Sequence, residues 1–412
     1  MNKLSKILII VSCFLFIQKA EAQHYVGIDS LSASSQISLL TSSPWDGEVY
    51  AMFGHSAMRI TDTVHGIDEV FNYGIFDFNT PNFLWRFATG QTDYIVMAVD
   101  FNSYIYEYKL RNKNVYEQVL AFNNDEKQRI WEYLLWNIQA ENQTYRYNEV
   151  FNNCTTKLTD VIEANVDGIM VYPKDEQAKT FRELISEHTS PNLWLEFAVN
   201  IVFGSGTDKI TTLKEKIFLP SYQMNTFDQT KIKRNDGTIE NLVSQNRMLV
   251  TSHDDKRNET NFYHSPFFAG LVLLFLSLII SLNEYRSWEK QAITKIFDFI
   301  LFLLVGIIGC IILFLTFTSH PFTYPNWNII WLNPLAFILS FMLLFNACRK
   351  IVYYYHVINS LVLIAFLIGL FFIPQELGRT FIPFIFVVCI RTWASATRKP
   401  SFSKKRIRGN KY

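Results

Sequence analysis

Cys154 is the one cysteine in the polar stretch 24–262: Cys13 lies in an N-terminal apolar segment, and Cys310, Cys348 and Cys389 lie in or beside long apolar runs. It cannot close a disulfide within its own stretch, and a free exposed thiol is a liability in an oxidising compartment. The residues around it predict a helix beginning at the cysteine. Asn152-Asn153 offers an N-cap, and Leu158, Val161 and Ile162 recur at helical spacing. A thiol at a helix N-terminus feels the positive end of the dipole and unpaired backbone N–H groups, which favour thiolate. The same N–H groups can hold the oxyanion formed when a thiolate attacks an acyl carbonyl. Such a nucleophile needs a base, usually an imidazole. The stretch offers His24, His55, His65, His188, His253 and His264. His24 is near its start, His188, His253 and His264 lie in polar segments, and His65 is in the turn Val64-His65-Gly66. His55, in Phe53-Gly54-His55-Ser56, stands directly ahead of a predicted strand. Buried, structurally satisfied Cys and His residues fit the same spacing, so spacing alone leaves both readings open.

Other chemistries lack their motifs. The polar stretch contains no HExxH, no paired CxxC and no clustered His/Asp ligand set, so no metal or other cofactor is expected. It has no G-x-S-x-G elbow; the nearest stretch is Gly54-His55-Ser56-Ala57-Met58. Lys+Arg 38 against Asp+Glu 37 gives no support for a nucleic-acid partner.

The elements that must carry these residues are readable in outline. Ile37–Leu40, Ser56–Ile60, Val70–Tyr73, Tyr94–Val99 and Val115–Phe122 read as strands, the second and third closing a hairpin across Gly66. Asp125–Ala140 reads as an amphipathic helix, and Lys209–Pro220 as a helix with its stop. Residues 1–22 read as a signal peptide: Lys3 and Lys6, an apolar Ile7–Ile17, then Ala20-Glu21-Ala22. An uncleaved anchor is the alternative, and either one exports the polar stretch. Apolar stretches at 267–282, 296–317, 328–345, 352–373 and 380–393 predict about five membrane helices. With residues 24–262 outside, the inside loops hold Arg286, Lys290, Lys295, Arg349, Lys350 and the basic tail, and the outside loops hold only Arg379. The expected division is 1–22 signal peptide, 23–224 exported catalytic domain, 225–265 polar connector or added lobe, 266–393 membrane bundle, and 394–412 cytoplasmic tail.

Several motifs together resemble a known family. Phe53-Gly54-His55-Ser56-Ala57-Met58-Arg59-Ile60, Phe71 to Phe78, and Asn142, Tyr145 and Tyr147 leading into Asn152-Asn153-Cys154-Thr155-Thr156 resemble the periplasmic domain of Lnb-type lipoprotein N-acyltransferases. His320-Pro321, Asn326-Trp327-Asn328 and Asn333-Pro334 resemble its membrane part. The resemblance implies an α+β, permuted papain-like (NlpC/P60-like) periplasmic domain followed by an all-α membrane bundle in the inner membrane. It implies transfer of an acyl chain from a phospholipid donor to a diacylated lipoprotein acceptor, with Cys154 and His55 in the family's catalytic positions. Asn72 is the preferred third group, because the hairpin returns it beside His55; Asp68, Tyr73 and His65 are the alternatives. Tyr73, Asn153, Tyr147, His320 and Asn326 are the expected substrate contacts, although packing explains Tyr147 better, and loop chemistry explains His320 and Asn326 about as well. A cysteine hydrolase (phospholipase, thioesterase or wall peptidase) and a non-catalytic lipid-binding scaffold remain alternatives.

Overall fold

The computed structural model describes residues 30–76, 80–252, 261–287 and 292–397. The expected signal peptide and the tail from residue 398 lie outside them. Alternating sequence builds the exported part. Strands β1 (Gln36–Ser42), β2 (His55–Asp62) and β3 (Ile67–Ile75) form an antiparallel meander. A short helix α1 (Phe83–Ala88) comes after it, then β4 (Asp93–Asp100), α2 (Phe101–Leu110), β5 (Val115–Leu120), α3 (Asn124–Asn137) and β6 (Thr144–Arg146). Next come α4 (Cys154–Asn165), β7 (Ile169–Val171), α5 (Phe181–Thr189), α6 (Leu193–Val202) and α7 (Pro220–Gln229). Strands β8 (Lys231–Lys233), β9 (Ile239–Asn241) and β10 (Val243–Val250) complete this part. The seven-stranded sheet runs β10-β5-β1-β2-β3-β4-β6.

Period-two alternation gives the sheet two apolar faces. Ile37, Leu39, Met58, Ile60, Phe71 and Tyr73 pack against Ile130, Trp131 and Leu134 of α3 and Leu158, Val161 and Ile162 of α4. Leu40, Ala57 and Val70, on the opposite face, pack against Tyr104, Ile105 and Tyr108 of α2. The domain is thus an α/β/α sandwich, within the α+β class expected.

Within 225–265, expected as a polar connector or an added lobe, β10 pairs with β5 and closes one edge of the main sheet. One local expectation differs: Pro220 starts a helix instead of stopping one. At the first helical position its missing N–H removes nothing, because that group has no intrahelical partner anyway.

Among the described residues, four helices of the membrane part are long and apolar enough to span. They are α8 (Pro266–Ser287), α9 (Ala292–Leu315), α11 (Arg349–Gly369) and a last helix, numbered α12 (Ile382–Ala396) after the short α10 (Leu335–Met342). The third expected span, 328–345, holds only a shorter, broken apolar segment, Trp327–Met342. It descends along α9, where Gly309 faces the Leu332 carbonyl and Gly306 faces the Phe337 backbone so closely that a Cβ would sit 2.2 Å and 2.0 Å from them. Helix α10 then continues inward until Phe341 meets Phe299, in the first turns of α9. At the break, Asn333 Oδ1 accepts from the Leu335 N–H at 2.9 Å. Irregular backbone at membrane depth is tolerated when protein buries it in this way. Arg391 is fully buried and donates to Asp298, Glu284 and Ser281, tying α12 to α8 and α9. If the broken segment crosses as well, the number of passages is odd and reporter fusions near Lys290 and Lys405 should both report cytoplasm; an external signal at either position overturns this path.

Side-chain amides lock the two parts together. The last carbonyls of a helix lack intrahelical donors. Those of α6 receive them from the membrane part: Asn326 Nδ2 donates to Ile201 and Val202 at 2.9 and 3.0 Å, and Asn328 Nδ2 to Asn200 at 3.1 Å. Gln375 Nε2 adds a bond to the Phe203 carbonyl at 3.2 Å.

Candidate active site

Helix α4 begins at Cys154 because Asn153 caps it. Its Oδ1 accepts from the Thr155 and Thr156 N–H groups at 3.0 and 3.1 Å, while Thr156 Oγ1 accepts in return from the Asn153 N–H at 2.8 Å. Asn153 Nδ2 donates to the Glu149 and Phe218 carbonyls at 2.9 and 2.8 Å, fixing the cap to the preceding loop and to the segment before α7. The thiol is therefore held at the positive end of the helix with 8% of its surface exposed.

His55 starts β2, after Gly54 at φ +80°. By alternation His55 and Asn72 belong to the face of Ala57 and Val70, whereas Cys154 packs in the cluster on the other face. They meet at the end of the sheet. Gly74, at φ +94°, lies where β3 loses register with β4. A Cβ on Gly74 would touch Cys154 Cβ and Tyr147 Cε2, both at 3.9 Å, so the bare backbone marks where the thiol comes across. His55 and Cys154 lie close enough for the imidazole and the sulfur to act on each other's charge. His55 Nε2 bonds Asn72 Oδ1 at 2.5 Å, which leaves Nδ1 for the sulfur.

This geometry sets the electrostatics. Burial disfavours the thiolate, but the His55 charge and hydrogen bond, with the Ser56 and Thr155 N–H groups aimed at the sulfur, bring the Cys154 pKa below its ordinary value. Burial likewise works against imidazolium, yet Cys154 and the Asn72 carbonyl oxygen raise His55 above the ordinary histidine value. A thiolate–imidazolium pair oriented by an amide can attack an acyl carbonyl without a metal. Among the described residues, no group of three or more His, Cys, Asp or Glu could hold a metal ion.

A family model described as the Lnb N-terminal periplasmic domain matches residues 25–187, and one described as the Lnb transmembrane domain matches residues 257–399. The chain belongs to the Lnb family. It is a membrane enzyme of lipoprotein modification, multi-pass in the inner membrane with its sheet domain in the periplasm. No curated protein and no solved structure matches it.

On this Lnb frame the sequence-derived site residues separate into two groups. His55, Asn72 and Cys154 come together, with Tyr147 beside the thiol. Burial and the neighbouring thiolate keep the Tyr147 phenol protonated. The other candidates for the third position are engaged elsewhere: Asp68 pairs with Arg59, His65 with Asp62, and the Tyr73 hydroxyl donates to Asn137 Oδ1 at 2.6 Å beneath the opposite face. Among the expected substrate contacts, Tyr73, Asn153 and Asn326 are buried and bonded within the chain. His320 Nε2–H donates to the Phe87 carbonyl at 2.8 Å and its Nδ1 lies 3.9 Å from Glu149, joining the membrane part to the loop ahead of α4. Sequence reasoning missed Tyr94, whose ring stacks on Tyr147 at 4.0 Å; its only signal was an aromatic at the start of a strand.

Asn153 gives a direct test of cap against contact. Asn153→Ala should lower stability by about 1–2 kcal/mol, the usual loss of an N-cap. Thermal unfolding checks this; unchanged unfolding with a raised KM would make Asn153 a substrate contact instead.

Proposed function

We propose that this Lnb enzyme transfers an acyl chain from a membrane phospholipid, through a Cys154 thioester, to the α-amine of a diacylglyceryl-cysteine lipoprotein. His55 takes the Cys154 proton and the thiolate adds to the ester carbonyl. The tetrahedral oxyanion lies near the Ser56 N–H and the Cys154 N–H, at the positive end of α4. The ester C–O bond breaks, and imidazolium gives its proton to the departing lysophospholipid. The amine then attacks the thioester, His55 accepts the proton it sheds, and the C–S bond breaks to regenerate the thiolate. An α-amine with a pKa near 7.7–8.0 is partly free at neutral pH.

The observation that supports this reading is the Cys154–His55–Asn72 line, carried by a domain bonded through Asn326, Asn328 and Gln375 to a membrane bundle. A site fixed at the membrane surface spares acyl chains the roughly 0.8 kcal/mol per methylene of exposure to water. It also limits hydrolysis of the thioester. Given phospholipid micelles without acceptor, the protein should gain one hydroxylamine-labile acyl mass on Cys154 by intact-protein mass spectrometry. A diacylated lipopeptide with a free N-terminus should discharge it to a triacylated product, and an N-acetylated one should not. Rapid release of free fatty acid with no amide product would replace transferase by hydrolase.

A further inference from the structure

Helix α1 buries only Phe83. Leu84, Trp85 and Phe87 are 79%, 63% and 49% exposed, an apolar surface that a water-facing helix would not carry. The chain after α9 fixes where this surface lies. The Trp85 ring lies 5.8 Å from that of Phe314, in the last turn of α9. The Ser319 N–H donates to the Thr89 carbonyl at 2.9 Å, and His320 donates to the Phe87 carbonyl. Phe317, just beyond α9, is exposed. Helix α1 is thereby clamped at the end of a helix long and apolar enough to span, its exposed apolar side next to the exposed Phe314.

From Phe83 a row of rings leads to the thiol. Phe83 stacks with Phe76 at 6.0 Å, Phe76 meets Tyr94 at 5.1 Å, and Tyr94 stacks on Tyr147 at 4.0 Å. Tyr147 and Cys154 then flank Gly74. Phe76, Tyr94 and Tyr147 are half-buried, so each keeps part of its surface open. We propose that α1 is an outer-leaflet anchor and that Phe83, Phe76, Tyr94 and Tyr147 form a path along which a phospholipid acyl chain runs from the leaflet to Cys154. The inference rests on the acyl-transfer reading and deepens it by naming the surface that takes the chain. Methylenes on this row exchange water for aromatic carbon, which favours the route.

The test uses the full chain in phospholipid vesicles, with acylation of Cys154 read by intact mass. In Leu84→Asp/Trp85→Asp, acylation from vesicle phospholipid should fall at least about tenfold, a carboxylate being costly in the leaflet. Acylation by soluble p-nitrophenyl butyrate should persist, because neither side chain touches the thiol. Tyr94→Ser should impair the phospholipid reaction more than the butyrate reaction. Equal rates from phospholipid in wild type and the double variant overturn the anchor; equal impairment of Tyr94→Ser with both donors overturns the path. Wild type unreactive with both donors overturns the Cys154 assignment and the inference with it. If the double variant loses both reactions, position decides independently of catalysis. An environment-sensitive fluorophore on Leu84→Cys, with the other cysteines replaced, should be quenched by shallow nitroxide lipids and not by aqueous quencher. The reverse pattern overturns the anchor.

Discussion

Cys154→Ala should give a protein that inserts, folds and forms no acyl-enzyme, with lipoprotein acylation reduced at least about 10⁴-fold, the order seen when a covalent nucleophile is removed. Folding should survive because the helix start does not depend on the sulfur. The cap is made by the Asn153 and Thr156 side chains and anchored to the Glu149 and Phe218 carbonyls. Loss of one small buried group costs about 1 kcal/mol. Cys154→Ser should be equally inactive. A serine hydroxyl at this position is too weak an acid for His55 to hold as an anion, and any ester formed would resist the hydroxylamine treatment that cleaves a thioester. The measurement is the mass of lipoprotein N-termini in cells carrying each variant. Wild-type triacylation by a folded Cys154→Ala protein would eliminate the covalent route.

The elements of the candidate site were legible for local reasons. An Asn-Asn pair ahead of a helical repeat predicts where α4 begins, and the cap geometry places Cys154 at its first position. Gly54-His55 ahead of an alternating segment predicts the start of β2. The Gly66 hairpin predicts that Asn72 returns beside His55, and the 2.5 Å bond has that geometry. Legibility stopped where function depends on contacts distant in the chain. Nothing near Asn326 says that its amide ends α6 more than a hundred residues earlier. Polar residues in outer loops read equally well as headgroup contacts until their partners are seen.

The same limit hid the sheet edge and the aromatic row. Strand β10 lies at the sheet edge with half of its residues exposed, so its composition resembles that of a linker. The segment 328–345 looked like an ordinary apolar span; its broken backbone lies close against Gly306 and Gly309 of α9, which leave room for it. Tyr94 and Tyr147 sit on or beside strands whose pairing, Asp93 with Arg146 and Tyr94 with Tyr145, is fixed only by tertiary structure. No period in either segment announces that the two rings stack.

His55→Ala should remove Cys154 reactivity at neutral pH even in the absence of any acyl substrate. In the wild-type protein, burial opposes the thiolate, and the His55 charge and hydrogen bond overcome it. The pH midpoint for alkylation by iodoacetamide should therefore fall below that of a free thiol, near 8.5. Without the imidazole, the opposing effect of burial is uncovered and the midpoint should rise above that of a free thiol. At pH 7 the alkylation rate should drop by about 10² or more, since each pKa unit is a factor of ten in thiolate. Catalysis has a second limb. His55 is raised above its ordinary value, so imidazolium, needed to protonate the leaving lysophospholipid, persists to higher pH and is lost as pH rises through that raised value. The acylation rate should be bell-shaped, rising through the lowered Cys154 pKa and falling through the raised His55 pKa. Asn72→Ala removes one of the bonds that favours imidazolium, so it should move the alkaline limb to lower pH. Stability should respond far less. The raised His55 pKa contributes stability that is full below the unfolded histidine value and lost as pH rises through the folded one. The depressed Cys154 pKa contributes in the opposite sense, gaining as pH rises through the folded value toward the unfolded one. The two slopes oppose each other, and the discriminating readout is therefore reactivity. An alkylation profile unchanged by His55→Ala, with the protein folded, would remove His55 as the base and leave the thiol to the helix terminus alone.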